Sequence, residues 1–357
     1  MNRTLASACL AACSITVAGG ATAQPNNATV IASGLEGPRG LKFGPDGNLY
    51  VAEAGTGGTT TTVGQCTQVP SPVGPYHGGK TGRISMIRPD GTRSTVVDQL
   101  PSGQSSLPTG DTTGVADVAF LNGELYALIS GGGCSHGNPD VPAGVIRIDR
   151  EAGTWRQVAD LSQFVMTHPV AHPDPDDFEP DETFYSMIAV RGKLYVVGPN
   201  HGQLIEVGRN GDVRQVVDIS ATQGHIVPTS VVFRGDTFHV GNLNTFPIVP
   251  GSSQVLDISR GGEILDSIPG FTTIVGLAYQ HYTLYALELS AAAGNPAPGA
   301  GKVVRLTHSG SVEDVVTGLT LPTGMTFGSD GHLYVSNFGA IPGSAGQIIQ
   351  VALQPLE

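Results

Sequence analysis

A chain of 357 residues with 50 glycines, 25 prolines and only 13% charged residues has the turn-rich, weakly charged make-up of a sheet protein rather than a helical one. Its formal net charge of −12 argues against nucleic acid as a partner, because neutralising phosphates needs a basic face, and no Lys/Arg-rich run is present to hold anionic lipid. No stretch beyond residue 23 reaches 18 uninterrupted apolar residues, so no transmembrane span is expected.

Residues 1–23, "MNRTLASACLAACSITVAGGATA", begin with one Arg, continue with small and apolar residues and end in Ala21-Thr22-Ala23, the A-x-A pattern of signal peptidase cleavage. They predict a signal peptide cleaved after Ala23 and a secreted or periplasmic mature chain. The alternative, lipoprotein processing at Cys13 in "LAAC", leaves an apolar region of only about nine residues, at the short end for a signal. Cleavage after Ala23 takes Arg3, Cys9 and Cys13 away, leaving 30 acids against 17 bases and two cysteines, Cys66 and Cys134. In an oxidising compartment such a pair suggests one disulfide, with free buried thiols as the alternative. A C-x-x-C redox or zinc motif is absent.

Residues 34–55, "GLEGPRGLKFGPDGNLYVAEAG", hold two short apolar runs joined by a Gly-Pro-Asp-Gly turn. The pattern returns as "GVADVAFLNGELYALIS" (114–130), "YSMIAVRGKLYVVGPN" (185–200), "PTSVVFRGDTFHVGN" (228–242), "VGLAYQHYTLYALELS" (275–290) and "PTGMTFGSDGHLYVSN" (322–337), six copies in all. The first five are each followed by two more strand-like runs, such as "GRISMIRPDGTRSTVVDQL" and "GQLIEVGRNGDVRQVVDI", with turns that favour tight hairpins. Four antiparallel strands per unit indicate β-propeller blades. The sixth copy has a third strand, "GQIIQVAL", and no room for a fourth, whereas "ATVIASGL" (28–35) precedes the first copy and matches fourth strands elsewhere. The sequence therefore predicts an all-β, six-bladed propeller in one domain over 24–357. The blades span approximately 36–100, 112–164, 183–220, 226–270, 272–317 and 320–353, the last closed by the N-terminal strand 28–35.

The run "PRGLKFGPDGNLYVAEAG", followed by a Gly/Thr/Pro-rich loop with a cysteine and then "TGRISMI", resembles the ScyD/ScyE family of secreted NHL-like propellers, named from scytonemin pigment clusters. The likeness covers essentially the whole mature chain and implies the propeller fold and secretion. It carries over no catalytic residue.

In a propeller, inner strands start and second strands end on one face of the disc, so polar groups there converge. The candidate binding ring at this mouth is Arg39, Glu53, Asp117, Asn200, His201, Asn242, Glu288 and Asn337, joined by Ser130, Ser186, Thr229 and Thr323. The bland reading of the same ring is satisfaction of loop backbone groups, with Arg39 in a simple ion pair. Six-bladed enzymes of the gluconolactonase, paraoxonase and strictosidine synthase kinds hold a divalent cation such as calcium, with a Glu that Glu36 resembles. At their other ligand positions this chain has Ala116, Ser186, Thr229, Val275 and Thr323, none a carboxylate or amide, so a metal would need Glu53, Asp117 and Glu288 instead.

Other signals are weaker. "GPYHGGKT" (74–81) matches a phosphate-loop pattern but precedes a strand, not the helix that phosphate binding requires. "RGD" (234–236) aligns with hairpin turns of neighbouring copies, and G-x-S-x-G and H-E-x-x-H are absent. His77 and His136 sit in loops that a Cys66–Cys134 bond would staple over the mouth and read as solvated. The insertion "MTHPVAHPDPDDFEPDET" (166–183), with six acids, two histidines and four prolines, reads as a solvated acidic loop, with a calcium site or a substrate lid as the alternatives, and its place at the rim makes it the best candidate for a specificity element. The leading expectation is a secreted or periplasmic propeller binding a small molecule or protein partner at its loop-rich face. The alternatives are a metal-assisted hydrolase or lyase and a purely structural or adhesive role.

Overall fold

In the first inner hairpin, the Gly47 N–H donates to the Gly44 carbonyl at 3.0 Å, and the Asp46 carboxylate accepts from the Asn48 N–H at 3.2 Å. Gly47 takes a left-handed φ of 77°, a conformation that costs glycine least. The turn Gly328–Gly331 repeats these bonds, with Asp330 accepting from His332. In the "RGD" segment Gly235 and Asp236 both have positive φ, the backbone of a two-residue hairpin turn between strands Pro228–Arg234 and Thr237–Asn242. Local turn chemistry thus sets strand pairing blade by blade.

The computed structural model describes residues 27–107 and 110–353, and the expected signal segment lies outside the described residues. Its strands form five four-stranded sheets and one five-stranded sheet, all antiparallel. The extra strand is Thr112–Thr113, added to the outer edge of the first sheet beside Arg93–Gln104. Inner strands Pro38–Phe43, Val115–Leu121, Ser186–Val190, Pro228–Arg234, Ile274–Gln280 and Gly324–Phe327 each touch the next, and the sixth touches the first. The ring closes as expected. Strand Ala28–Leu35 pairs with Gly346–Val351, from Ala28 opposite Val351 to Leu35 opposite Gly346.

The core lies between blades rather than in one central mass, because each sheet buries both faces against its neighbours. Tyr50, Ile84 and Val97 of the first blade pack with Val118, Leu125 and Ile146 of the second, and equivalent clusters fill the other five interfaces. The recurring Leu-Tyr pair has a physical role here. Tyr50, Tyr285 and Tyr334 each meet a phenylalanine of the next blade's inner strand edge-on: Phe120, Phe327 and Phe43 at 5.0, 5.1 and 4.9 Å. The Tyr50 and Tyr334 hydroxyls reach back to the turn carboxylates Asp46 and Asp330.

Candidate functional site

Four inner strands begin with a β-bulge. Pairing jumps from Pro38/Glu53 to Leu41/Val51, and the same slip falls at Val115/Asp117, Pro228/Ser230 and Ile274/Gly276. A bulge leaves a residue unpaired and re-aims its side chain. The re-aimed Arg39, Ala116 and Thr229 all line one cavity of ≈ 130 Å³ at the mouth. An apolar cavity of about 150 Å³ holds benzene, so this space suits a ligand about one ring in size.

Loops build the rest of its wall. Val73, Tyr76 and Leu107, from the long loops of the first blade, form a small buried cluster with Val69 above the sheet. Phe184 and Tyr185 enter from the segment before the third inner strand, and Val227 and Leu243 from the fourth blade. A disulfide joins Cys66 to Cys134 and ties the first blade's loop to the second's. This fits an oxidising compartment. Among the described residues no helix is long and apolar enough to cross a membrane.

The acidic insertion departs from its reading as a solvated loop. After strand Thr154–Asp160 and helix Leu161–Thr167 its first half is mostly exposed, but Asp177, Glu179, Asp181 and Glu182 are buried. Each has partners that offset the cost of burial. Asp181 accepts from the Ser135 N–H and hydroxyl at 2.7 and 2.6 Å, and Glu182 accepts from the Asn200 and His201 N–H groups at 2.9 Å each. Asp177 lies 2.8 Å from His225 Nε2. Glu179 lies 3.0 Å from His136 Nε2 and accepts from the Tyr76 hydroxyl. The insertion is therefore a clasp over the mouth, and Asp177 and Glu179 face the cavity. His136, read from sequence as a solvated loop histidine, is wholly buried beneath it.

Electrostatics at the mouth are uneven. Burial pushes the Asp111 carboxyl up to about 7, with Arg39 opposing the shift. Burial likewise lifts Asp177 to about 6 against its His225 bond, and Tyr185 to about 12. Burial of His136 disfavours its cation, but the Glu179 bond and the charges of Glu179 and Asp181 outweigh this and raise its pKa. Arg39 donates to the Thr112 carbonyl at 2.6 Å, and no ion pair among the described residues includes it. The simple ion pair that the bland reading gave Arg39 does not form among the described residues.

Of the eight residues expected to ring the mouth, Arg39 and Asn200 line the cavity. Asp117 sits lower, in a central channel of ≈ 30 Å³ bordered by residues of all six inner strands. There it accepts from the Val118 and Met187 N–H groups at 2.8 Å each, and burial raises its pKa against Lys42 and these bonds. The other five turn to their own loops. Glu53 accepts from the Glu36 N–H, Glu288 from Thr272 and Asn337 from Thr320, each at 2.8 Å. Asn200 accepts from Thr183 in the same place. Asn242 donates to the Ile226 carbonyl at 2.9 Å, and His201 Nε2 meets the Glu179 carbonyl at 3.1 Å. A second strand lies about 4.8 Å further from the axis than the inner strand, so its terminal side chain meets the incoming loop before it reaches the channel.

The calcium-type ligand set does not assemble. Glu36 pairs with Arg83, and Glu53 is held by Arg93 at 2.7 Å and by Ser85. Glu53, Asp117 and Glu288 belong to different blades with separate partners, and among the described residues no group of three or more His, Cys, Asp or Glu is arranged to hold a metal. The segment "GPYHGGKT" runs into strand His77–Ile87, so no helix end faces Lys80. Sequence reasoning missed Asp111, Phe184 and Tyr185, and singled out Asp177 and Glu179 only as part of the acidic insertion. The usable signal was position, since all five lie in segments leading into the second and third inner strands on the mouth face.

No protein-family model matches the chain, and no curated protein matches it in sequence. Solved structures do match in shape. A gluconolactonase of Xanthomonas campestris aligns with a TM-score of 0.55 and 10% identity over 93% of this chain and 92% of that one. A Bacteroides thetaiotaomicron protein of unknown function aligns at 0.57 with 11% identity over 93% and 73%. An auxiliary nutrient binding protein of the same organism aligns at 0.53 with 11% identity over 90% and 70%. Likeness at such identity is a likeness of fold: the chain is a six-bladed β-propeller.

Proposed function

We propose that this protein is a secreted or periplasmic propeller of the ScyD/ScyE type that binds a small molecule at its loop-covered mouth, in the making of an exported metabolite. The observation that carries the reading is the cavity of ≈ 130 Å³ with a bulge-aimed Arg39, aromatic walls and a clasp of partnered acids above it. Few, placed polar groups on a mostly apolar wall are what small-molecule sites present. The disulfide beside the mouth supports export, and the fold is one that a nutrient binding protein also uses.

A second reading, a hydrolase or lyase, has one observation in its favour. Asp111 is a carboxyl poised near neutrality within the cavity, where a general acid or base works best. For the metal-assisted form of that reading, no ligand set assembles among the described residues. Metal content after native purification, with melting in the presence and absence of chelator, tests it: a bound divalent cation whose removal lowers the melting temperature favours it.

The binding reading is tested by a thermal-shift screen of small metabolites on wild-type protein and on Ala116→Trp, which fills the cavity. Stabilising compounds are expected on the wild type and lost in the variant. Hits that survive Ala116→Trp unchanged refute the site.

A further inference from the structure

The mouth cavity holds four charged side chains, Arg39, Asp111, Asp177 and Glu179. Two of the acids have a basic partner within hydrogen-bond distance, Asp177 with His225 and Glu179 with His136. That leaves Arg39 and Asp111. They stand close enough to feel each other, yet no ion pair joins them, and no hydrogen bond among the described residues reaches the Asp111 side chain. An arginine presents five N–H donors in a fork that matches a carboxylate. Here it donates to the Thr112 carbonyl and interacts with the Tyr185 hydroxyl, which leaves further donors of the fork for a ligand.

We infer that the ligand is a small apolar monocarboxylate, its carboxylate held by Arg39 beside Asp111 and its body packed on Leu107, Phe184, Val227 and Leu243. The inference rests on the mouth being the binding site and adds the class of ligand. Three observations support the charge sign. Arg39 is the cation lining the cavity, and an amine would meet it as a like charge. The histidine partners mute the fields of Asp177 and Glu179. Asp111 is held near neutrality, and in its protonated form it donates to a carboxylate oxygen instead of repelling it. The size follows from the cavity, which has room for one ring or a short branched chain, and its apolar walls leave a second charge without a partner.

The test is isothermal titration of the full-length mature protein with three analogues of one shape, phenylacetate, phenylacetamide and phenethylamine, and with 4-methylpentanoate as a non-aromatic acid. Both acids are expected to bind at least tenfold tighter than the amide or amine, to lose at least tenfold affinity in Arg39→Met, and to lose binding in Ala116→Trp. Equal or tighter binding of the amide or amine overturns the ligand class while the mouth site stands, provided Ala116→Trp abolishes it. Binding of every analogue unaffected by Ala116→Trp overturns both the class and the site, and failure of both acids to bind overturns the class. If Arg39→Met does not fold, the ranking of the analogues on wild-type protein decides alone.

Discussion

The imidazole of His136 lies between two acceptors, its Nε2 3.0 Å from the Glu179 carboxylate and its Nδ1 2.7 Å from the Gly132 carbonyl. A carbonyl only accepts, so Nδ1 carries a proton, and the ionised carboxylate opposite Nε2 calls for a second. The cation is the form that satisfies both. Tyr76 packs edge-on against this ring at 4.8 Å, so the pair also fixes a wall of the cavity.

That pairing makes the clasp pH-dependent. A histidine whose folded-state pKa is raised adds stability that is fully present below its ordinary 6.5 and is lost as pH rises through the folded value. Glu179→Gln removes the buried partner and is expected to cost about 3 kcal/mol at pH 6. The deficit shrinks as pH rises through the folded-state value and wild-type His136 loses its proton. Denaturant melts of both proteins at pH 6 and pH 9 measure this, and a deficit that grows with pH contradicts the imidazolium.

The disulfide closes a loop with a sequence separation of 68 residues. Chain entropy alone gives such a cross-link roughly 4 kcal/mol. Cys66→Ser/Cys134→Ser is expected to lower unfolding free energy by about that amount, read from urea melts. It should also weaken ligand binding at the mouth, because the long loops carrying Tyr76 and His136 lose their tie. Unchanged stability in the double variant, with no free thiol in denatured, unreduced wild type, counts against the entropic account.

Glu288 is an interior carboxylate whose pKa burial lifts to about 7, against the Thr272 N–H bond and Lys302. The sign follows from proton linkage. Folded protein holds this proton more tightly than unfolded protein, so the stability linked to it is complete below the ordinary carboxylate range and is lost as pH climbs through about 7. Glu288→Gln keeps a neutral oxygen for Thr272 and removes the ionisation. Lys302 retains Asp314 at 2.7 Å. The variant should match wild type near pH 5 and exceed it by about 1 to 3 kcal/mol at pH 8. A variant less stable at pH 8 than at pH 5, relative to wild type, refutes the assignment.

The fold was legible because its determinants are local and repeated. Each Asp-Gly or Asn-Gly turn, each Leu-Tyr pair and the unmatched strand 28–35 reports its own pairing, and six copies remove the ambiguity of any one. The mouth was half legible. Arg39 could be placed there from its position at an inner-strand start, but the bulge that aims it depends on how Pro38 and Leu41 pair across to Glu53 and Val51. The clasp was misread because six acids in a row of prolines look solvated. Their partners Ser135, His136, Asn200, His201 and His225 come from other parts of the chain, and only the closed ring brings them near. Matching polar residues at second-strand ends were read as convergent, whereas each answers a donor or acceptor some 16 or 17 residues earlier in its own blade.

This last distinction separates structural residues of the mouth from those placed to meet a ligand. Asn337 is buried and its side-chain oxygen takes the Thr320 N–H at 2.8 Å. Asn337→Ala leaves that buried donor without its acceptor, at a cost of about 1 to 3 kcal/mol. Asn337→Asp keeps an acceptor and should recover most of it. Neither change touches the cavity lining, so the affinity of any mouth ligand is expected to hold within twofold at temperatures where both variants are folded. Arg39→Met should behave in the opposite way, with little change in melting temperature and a large loss of affinity. Calorimetric melts and titrations on the three variants decide the matter, and a loss of affinity in Asn337→Ala comparable to that in Arg39→Met would return Asn337 to the binding ring.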